Sequence, residues 1–127
     1  MIVGIPLLTF AFSAINVPYM YFMQHMIYSE FLSEPSFKSL GFAYIMWMCM
    51  AAALKWFVME RKDFGFKSVF THGPFLGLVI YLAINLCLMT VRPDWDMTMV
   101  GSDVFFGTLM FGAVTLFGLI LNHLLFR

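Results

Sequence analysis

The apolar residues of this chain fall into four long runs separated by short polar segments. The runs cover residues 2–28, 40–59, 68–90 and 104–126. A helix needs about 20 predominantly apolar residues to cross roughly 30 Å of hydrocarbon, which each run can supply. A spanning segment must also satisfy its own backbone hydrogen bonds, so each run is predicted to be a helix. The pattern predicts an all-α, polytopic integral membrane four-helix bundle, with residues 1–127 forming a single transmembrane domain.

The composition supports lipid as the solvent of this chain. Hydrophobic residues make up 62% of it and charged residues 11%, whereas soluble domains average about 25% charged residues. A soluble domain this short could not bury so much apolar surface. Because the formal net charge is zero, no basic field indicates a nucleic-acid partner. The expected partners are the lipid bilayer and other membrane subunits or further copies of the chain.

The distribution of charges predicts an orientation. Four spans would place both termini and the loop 60–67 on one side of the membrane. That side carries Arg61, Lys62, Lys67 and Arg127, with Lys55 close by. The opposite side carries Lys38, Arg92, Glu30, Glu34, Asp94, Asp96 and Asp103. Since Lys and Arg accumulate in short cytoplasmic loops, both termini are predicted to be cytoplasmic.

Three polar residues lie in or beside the apolar runs. Asn16 precedes Pro18 in the first run, Asn85 lies in the outer part of the third, and Asp103 precedes the fourth. Asp103 is predicted to cap the fourth helix or to lie in its first turn. The three side chains either line an outer-facing polar pocket or hold helices together, where an interhelical hydrogen bond contributes about 0.6–2 kcal/mol.

The segment that connects the third and fourth runs has two interpretations. Arg92, Asp94 and Asp96 flank Trp95 and could form a cation or headgroup site. The favoured interpretation is an interfacial loop with a tryptophan anchor and solvated carboxylates.

Small residues predict where the helices approach closely. Gly73 and Gly77 are spaced four residues apart in the third run, and Gly107 and Gly112 lie in the fourth. Glycines at such spacing allow the backbones of two membrane helices to approach each other. These four residues are therefore predicted to be helix-packing positions.

His72 and His123 are the candidates for cofactor ligation. Both lie near the cytoplasmic ends of their runs, on helices expected to be antiparallel. This is the minimum arrangement for paired ligation of a haem or for a metal site. The commoner role of such histidines is contact with interfacial water, so no cofactor is predicted. The cysteines, Cys49 and Cys87, lie in apolar runs and are interpreted as packing residues.

The runs GLVIYLAIN and SDVFFGT resemble the domain of unknown function 2177 family of small four-span membrane proteins. The family carries a Tyr-Asp-Leu-Thr-Asn run in its third span and a Val-Asp-x-x-Trp-Gly-Thr run opening its fourth. The matching residues here are Tyr81, Asn85, Asp103, Gly107 and Thr108, and Leu82 and Phe106 depart from the motifs. The resemblance implies a four-span topology and no activity. The absence of the family's acid at Leu82 argues against a proton-coupled role.

The leading functional hypothesis is a non-enzymatic structural or accessory component. Sixteen Phe and twelve Met give adaptable apolar surfaces, suited to packing with itself or within a respiratory, photosynthetic or virion inner-membrane assembly. The alternative is a small transporter or a lipid- or small-molecule-binding protein that uses the polar pocket. The lack of an acid at the centre of any run argues against transport. No nucleophile elbow, phosphate loop or HExxH run indicates an enzyme.

Overall fold

All regular structure in the described part of the chain is helical. The computed structural model describes the backbone of residues 4–26 and 37–125, and their side chains except at 20, 21, 23–26 and 37–40. The helices are α1 (Ile5–Met26), α2 (Phe37–Leu54), α3 (Phe66–Phe70), α4 (His72–Val91) and α5 (Met97–Leu125). The all-α prediction is thus confirmed for these residues. The ends of the first predicted span, the last residue of the fourth, and Glu30 and Glu34 lie outside them.

Three helical segments are long and apolar enough to cross a membrane. They are Gly41–Met59, Phe66–Val91 and Met97–Leu125. The described side chains of α1 form a shorter apolar segment, Ile5–Tyr19. Length and composition therefore indicate a membrane protein.

The helix that contains the fourth predicted span begins before it. Helix α5 starts at Met97, seven residues before the predicted 104. The reason is a cap that the prediction missed, because the Met99 amide donates to Oδ1 of Asp96 at 3.0 Å. Asp103 is therefore neither the cap nor in the first turn. It is the seventh residue of a 29-residue helix.

The third predicted span is interrupted near its start. Thr71 separates α3 from α4 with backbone angles of φ −123° and ψ −81°, and its hydroxyl donates to the Lys67 carbonyl at 2.8 Å. Pro74 has no N–H, so it cannot donate to the Phe70 carbonyl as a continuous helix would require. A proline in the first turn of α4 is tolerated for the same reason, since that amide has no partner within the new helix.

Helix α2 ends in a π-helical turn, Lys55–Met59. The Glu60 amide donates to the Lys55 carbonyl at 2.9 Å, five residues back. Val58 and Met59 are buried beneath this turn, and Trp56 is exposed. The π-helical turn therefore packs Val58 and Met59 into the core and leaves Trp56 at the surface.

The core lies between α1, α2 and α5. Helix α1 packs against both α2 and α5, and α5 makes its most extensive contact with α4. Phe12 of α1 and Phe111 of α5 are fully buried, with ring centroids 4.8 Å apart. Trp47, Ala51 and Leu54 of α2 belong to the same apolar cluster. This arrangement brings the C-terminal halves of α1 and α4 close to the N-terminal part of α5.

Candidate functional site: a buried polar cluster

Asn85 is the centre of a group of hydrogen bonds between helices. It is fully buried on α4. Its Nδ2 donates to Oδ2 of Asp103 on α5 at 2.7 Å and to the Tyr81 carbonyl of its own helix at 2.8 Å. Its Oδ1 accepts a hydrogen bond from Nε1 of Trp95 at 3.0 Å. Every polar atom of the Asn85 side chain therefore has a partner within the chain.

Asp103 extends the group to a third helix. The residue is half-buried, and its Oδ1 accepts a hydrogen bond from the Tyr19 hydroxyl of α1 at 3.2 Å. The Tyr19 ring stacks on Phe106, with centroids 3.5 Å apart and planes within 2° of parallel. One carboxylate thus joins α1, α4 and α5.

Asn16 lies in the same region, but its hydrogen bonds go to Phe12 and Met110 and not to the Asp103 carboxylate. It is 4% exposed, and its Nδ2 lies 3.0 Å from the Phe12 carbonyl and 2.7 Å from Sδ of Met110. Its side chain also interacts with the Tyr81 phenol. Asn16 therefore lies near Tyr81, whose carbonyl accepts a hydrogen bond from Asn85.

We call these six residues the polar cluster: Asn16, Tyr19, Tyr81, Asn85, Trp95 and Asp103. The sequence reasoning selected three of them as sites and missed the three aromatic members. A usable signal existed for Tyr81, since residues four apart share a helix face and Tyr81 precedes Asn85 by four. Trp95 was interpreted as an interfacial anchor, but it is buried, with 7% of its surface exposed. The short connection between α4 and α5 places the Trp95 indole within hydrogen-bond distance of Asn85.

The close approach of α4 to α5 depends on two of the predicted glycines. A Cβ atom added at Gly77 would lie 2.6 Å from the Gly107 carbonyl oxygen and 2.8 Å from Cβ of Phe111. A Cβ at Gly107 would meet the Tyr81 ring. Larger side chains at either position would separate the helices, and the Asn85 hydrogen bond to α5 would lengthen.

The other two predicted glycines lie further along the same contact. A Cβ at Gly73 would meet the side chain of Thr115. A Cβ at Gly112 would lie 3.3 Å from Cγ of Pro74 and 3.3 Å from the Val69 carbonyl oxygen. All four glycines are buried, so this small-residue surface is used within the chain.

The two histidines lie away from the polar cluster. His72 begins α4, is half-buried, and has its Nδ1 3.3 Å from the Thr71 hydroxyl. His123 is exposed near the end of α5. Across the described residues, no group of three or more His, Cys, Asp or Glu side chains could hold a metal ion. Haem or metal ligation stays the less favoured of the two roles considered for this pair.

The charged residues of the α4–α5 connection have local partners. Arg92 and Asp94 form an exposed ion pair, with Nη2 and Oδ2 3.3 Å apart. Asp96 caps α5. One carboxylate of the connection is therefore in an ion pair, and another accepts from the backbone at the start of α5.

The chemistry available to the polar cluster follows from its hydrogen bonds. Both N–H groups of the Asn85 amide have acceptors within the chain and its oxygen has one donor, and buried polar groups with partners rigidify the contact that holds them. Asp103 is the ionisable member that retains partial exposure.

A comparison of this chain with protein families, curated proteins and solved structures finds no match.

Proposed function

We propose that this chain is a non-enzymatic, four-span integral membrane protein with both termini on the cytoplasmic side. In this proposal the polar cluster fixes the relative positions of α1, α4 and α5. The observation that carries the proposal is the complete pairing of the buried Asn85 side chain within the chain. A ligand-binding amide would be expected to keep at least one N–H donor for its ligand, and both N–H groups of Asn85 are used within the chain.

The outer surface of α2 supports an assembly role. This helix buries a narrow stripe that includes Trp47, Met50 and Ala51. From Gly41 onward, its exposed side chains are mostly apolar, with Phe42 at 64% and Ile45 at 59%. Such a surface suits lipid or the helices of other membrane subunits or further copies of the chain. Because the predicted packing glycines are used internally, association would rely on these larger side chains.

The suggested family relationship agrees with a structural role. Four of the five residues that carry the resemblance to the domain of unknown function 2177 family fall on the α4–α5 contact. Asn85 bonds to Asp103, and Tyr81 lies against Gly107. A motif that serves to hold two helices together needs no activity to explain it.

A second candidate function, a small transporter or ligand-binding protein, is favoured by the position of Asp103. The carboxylate lies about 9 Å along α5 from its first residue, at 1.5 Å per residue. It is therefore within the helix and not before it. An ionisable group inside a spanning helix is a candidate for ion or substrate coupling.

One experiment separates the two functions. The native mass of the complex would be measured after gentle detergent extraction, for the wild-type protein and for Asp103→Asn. The assembly function predicts a complex of defined stoichiometry, and an Asp103→Asn protein that leaves proton flux in proteoliposomes unchanged. A lone monomer with a bound small molecule, or a proton flux that Asp103→Asn abolishes, would reject the assembly function and support the second candidate.

A further inference from the structure

A groove lies where the π-helical turn of α2 meets the start of α1. It has a volume of about 250 Å³ and is lined by Ile5, Lys55, Trp56 and Glu60. It is at the opposite end of α1 from Tyr19 and is built from residues outside the polar cluster. Its interpretation does not depend on the role of that cluster.

The π-helical turn explains why a cation and an anion share this groove. In an α-helix, residues five apart point to different sides, because each residue advances about 100° around the axis. The π-helical turn is wider, with the Glu60 amide bonded to the Lys55 carbonyl at 2.9 Å, and both residues line the groove. Wide turns of this kind are often found at functional sites.

Both charges are available to a ligand. Glu60 is exposed and Lys55 is half-buried. Within the described part of the chain, the recorded ion pairs are Arg61 with Asp63 and Arg92 with Asp94. The groove therefore presents an ammonium and a carboxylate that do not neutralise each other.

Trp56 places the groove at the level of lipid headgroups. Its side chain is 71% exposed at the end of a candidate span that runs from Gly41 to Met59. Tryptophan is enriched at the membrane–water interface, and its ring face attracts cations. Phe57, also exposed at 68%, continues the apolar surface beside it.

We propose that this groove binds the headgroup of a zwitterionic phospholipid. The lipid phosphate lies against the Lys55 ammonium, and the amine lies against the Glu60 carboxylate and the Trp56 ring. The acyl chains then follow the exposed apolar surface of α2. The charge pattern selects this class, since the carboxylate of Glu60 would repel the headgroup of an anionic lipid.

Lipid titrations followed by native mass spectrometry test the proposal. The purified, delipidated protein is titrated separately with phosphatidylethanolamine and phosphatidylglycerol. Wild type is expected to bind phosphatidylethanolamine more tightly. Lys55→Gln and Glu60→Gln should each weaken that binding about fivefold, since a charge near the membrane surface contributes about that factor. Lys62→Gln, on an exposed residue outside the groove, is the matched control.

The response to Glu60→Gln distinguishes the lipid classes. A zwitterionic site predicts weaker binding of phosphatidylethanolamine and stronger binding of phosphatidylglycerol. Stronger binding of both lipids would show an anionic-lipid site and overturn the proposal. Equal binding of both lipids by wild type would also overturn it, even if a variant failed to fold. Free phosphoethanolamine that binds as tightly as the lipid would show a soluble ligand instead.

Discussion

Nδ2 of Asn85 lies 2.7 Å from Oδ2 of Asp103, joining α4 to α5. The bond forms at the helix pair with the most extensive contact in the described chain. Its carboxylate also accepts from Tyr19 of α1. The same pair of residues is therefore both the centre of the candidate site and a constraint on the packing of three helices.

Replacing Asn85 with Leu should destabilise the folded protein. The change removes the hydrogen bonds that Asn85 makes with Oδ2 of Asp103 and with the Trp95 indole. The loss of these bonds suggests a decrease of about 1–2 kcal/mol in the free energy of unfolding. Equilibrium unfolding in mixed micelles, or steric trapping in a bilayer, measures this quantity.

Thr90→Val is the matched control for that change. Thr90 is on the same helix and is exposed, and its hydroxyl donates to the Leu86 carbonyl of its own turn. Its loss should change the free energy of unfolding by less than about 0.5 kcal/mol. Equal effects of the two substitutions would argue against the polar cluster as a stabilising element.

Tyr19→Phe should separate the hydroxyl from the ring. The variant keeps the stack on Phe106 but loses the donor to Asp103, so the expected cost is about 0.5–1 kcal/mol. In an Asp103→Leu background the same change should cost less, because the Asp103 acceptor has already been removed. A double-mutant cycle measures this coupling. An unchanged cost in both backgrounds would show that the hydroxyl acts elsewhere.

Gly77→Ala should destabilise the α4–α5 contact. The new methyl group would lie 2.6 Å from the Gly107 carbonyl oxygen and would force the backbones apart. Overpacking of this kind typically costs about 1–3 kcal/mol. Gly101→Ala on α5 is the control, because nothing lies within 4 Å of its added Cβ. That change should be neutral or stabilising by up to about 1 kcal/mol, since alanine favours the helix. Unfolding measurements that rank the two variants in the reverse order would contradict this packing.

The helical content was predictable because hydrophobic runs and backbone satisfaction leave few alternatives in lipid. The boundaries were less predictable because they depend on single side chains. Asp96 starts α5 early by capping it, and Pro74 divides the third span. Both residues carry local signals that a hydropathy pattern alone does not weigh.

The polar cluster was accessible to sequence reasoning in part. Polar groups in apolar runs are conspicuous, which is why Asn16, Asn85 and Asp103 were selected. Their pairing could not be predicted, since it depends on the register of α4 against α5. The role of Trp95 could not be predicted for the same reason. A tryptophan in a loop suggests an interfacial anchor, and the sequence does not show that its indole turns inward to Asn85.

The loop after α2 should show a pH-dependent ion pair. The Arg61 guanidinium hydrogen-bonded to Asp63 holds the pKa of that carboxyl below its ordinary value. Because the folded-state pKa is the lower one, the pair's stabilisation is present above the unfolded pKa and lost as pH falls through the folded value. Carbon-13 NMR titration of the carboxyl measures the pKa, and Arg61→Gln should raise it. An unchanged Asp63 pKa in Arg61→Gln would mean that the guanidinium does not lower the pKa of this carboxyl.

Labelling of single cysteines should place the two polar connections on opposite membrane faces. Lys62 precedes α3, Asp94 follows α4, and both are exposed, while the segment between them is long enough to cross the bilayer. In a background lacking Cys49 and Cys87, Lys62→Cys should react with an impermeant maleimide only from the cytoplasmic side. Asp94→Cys should react only from the outside. This pattern is expected because Lys and Arg mark the cytoplasmic face. The reverse pattern would overturn the predicted orientation. Labelling of both cysteines from one side would mean that α3 and α4 do not cross the membrane.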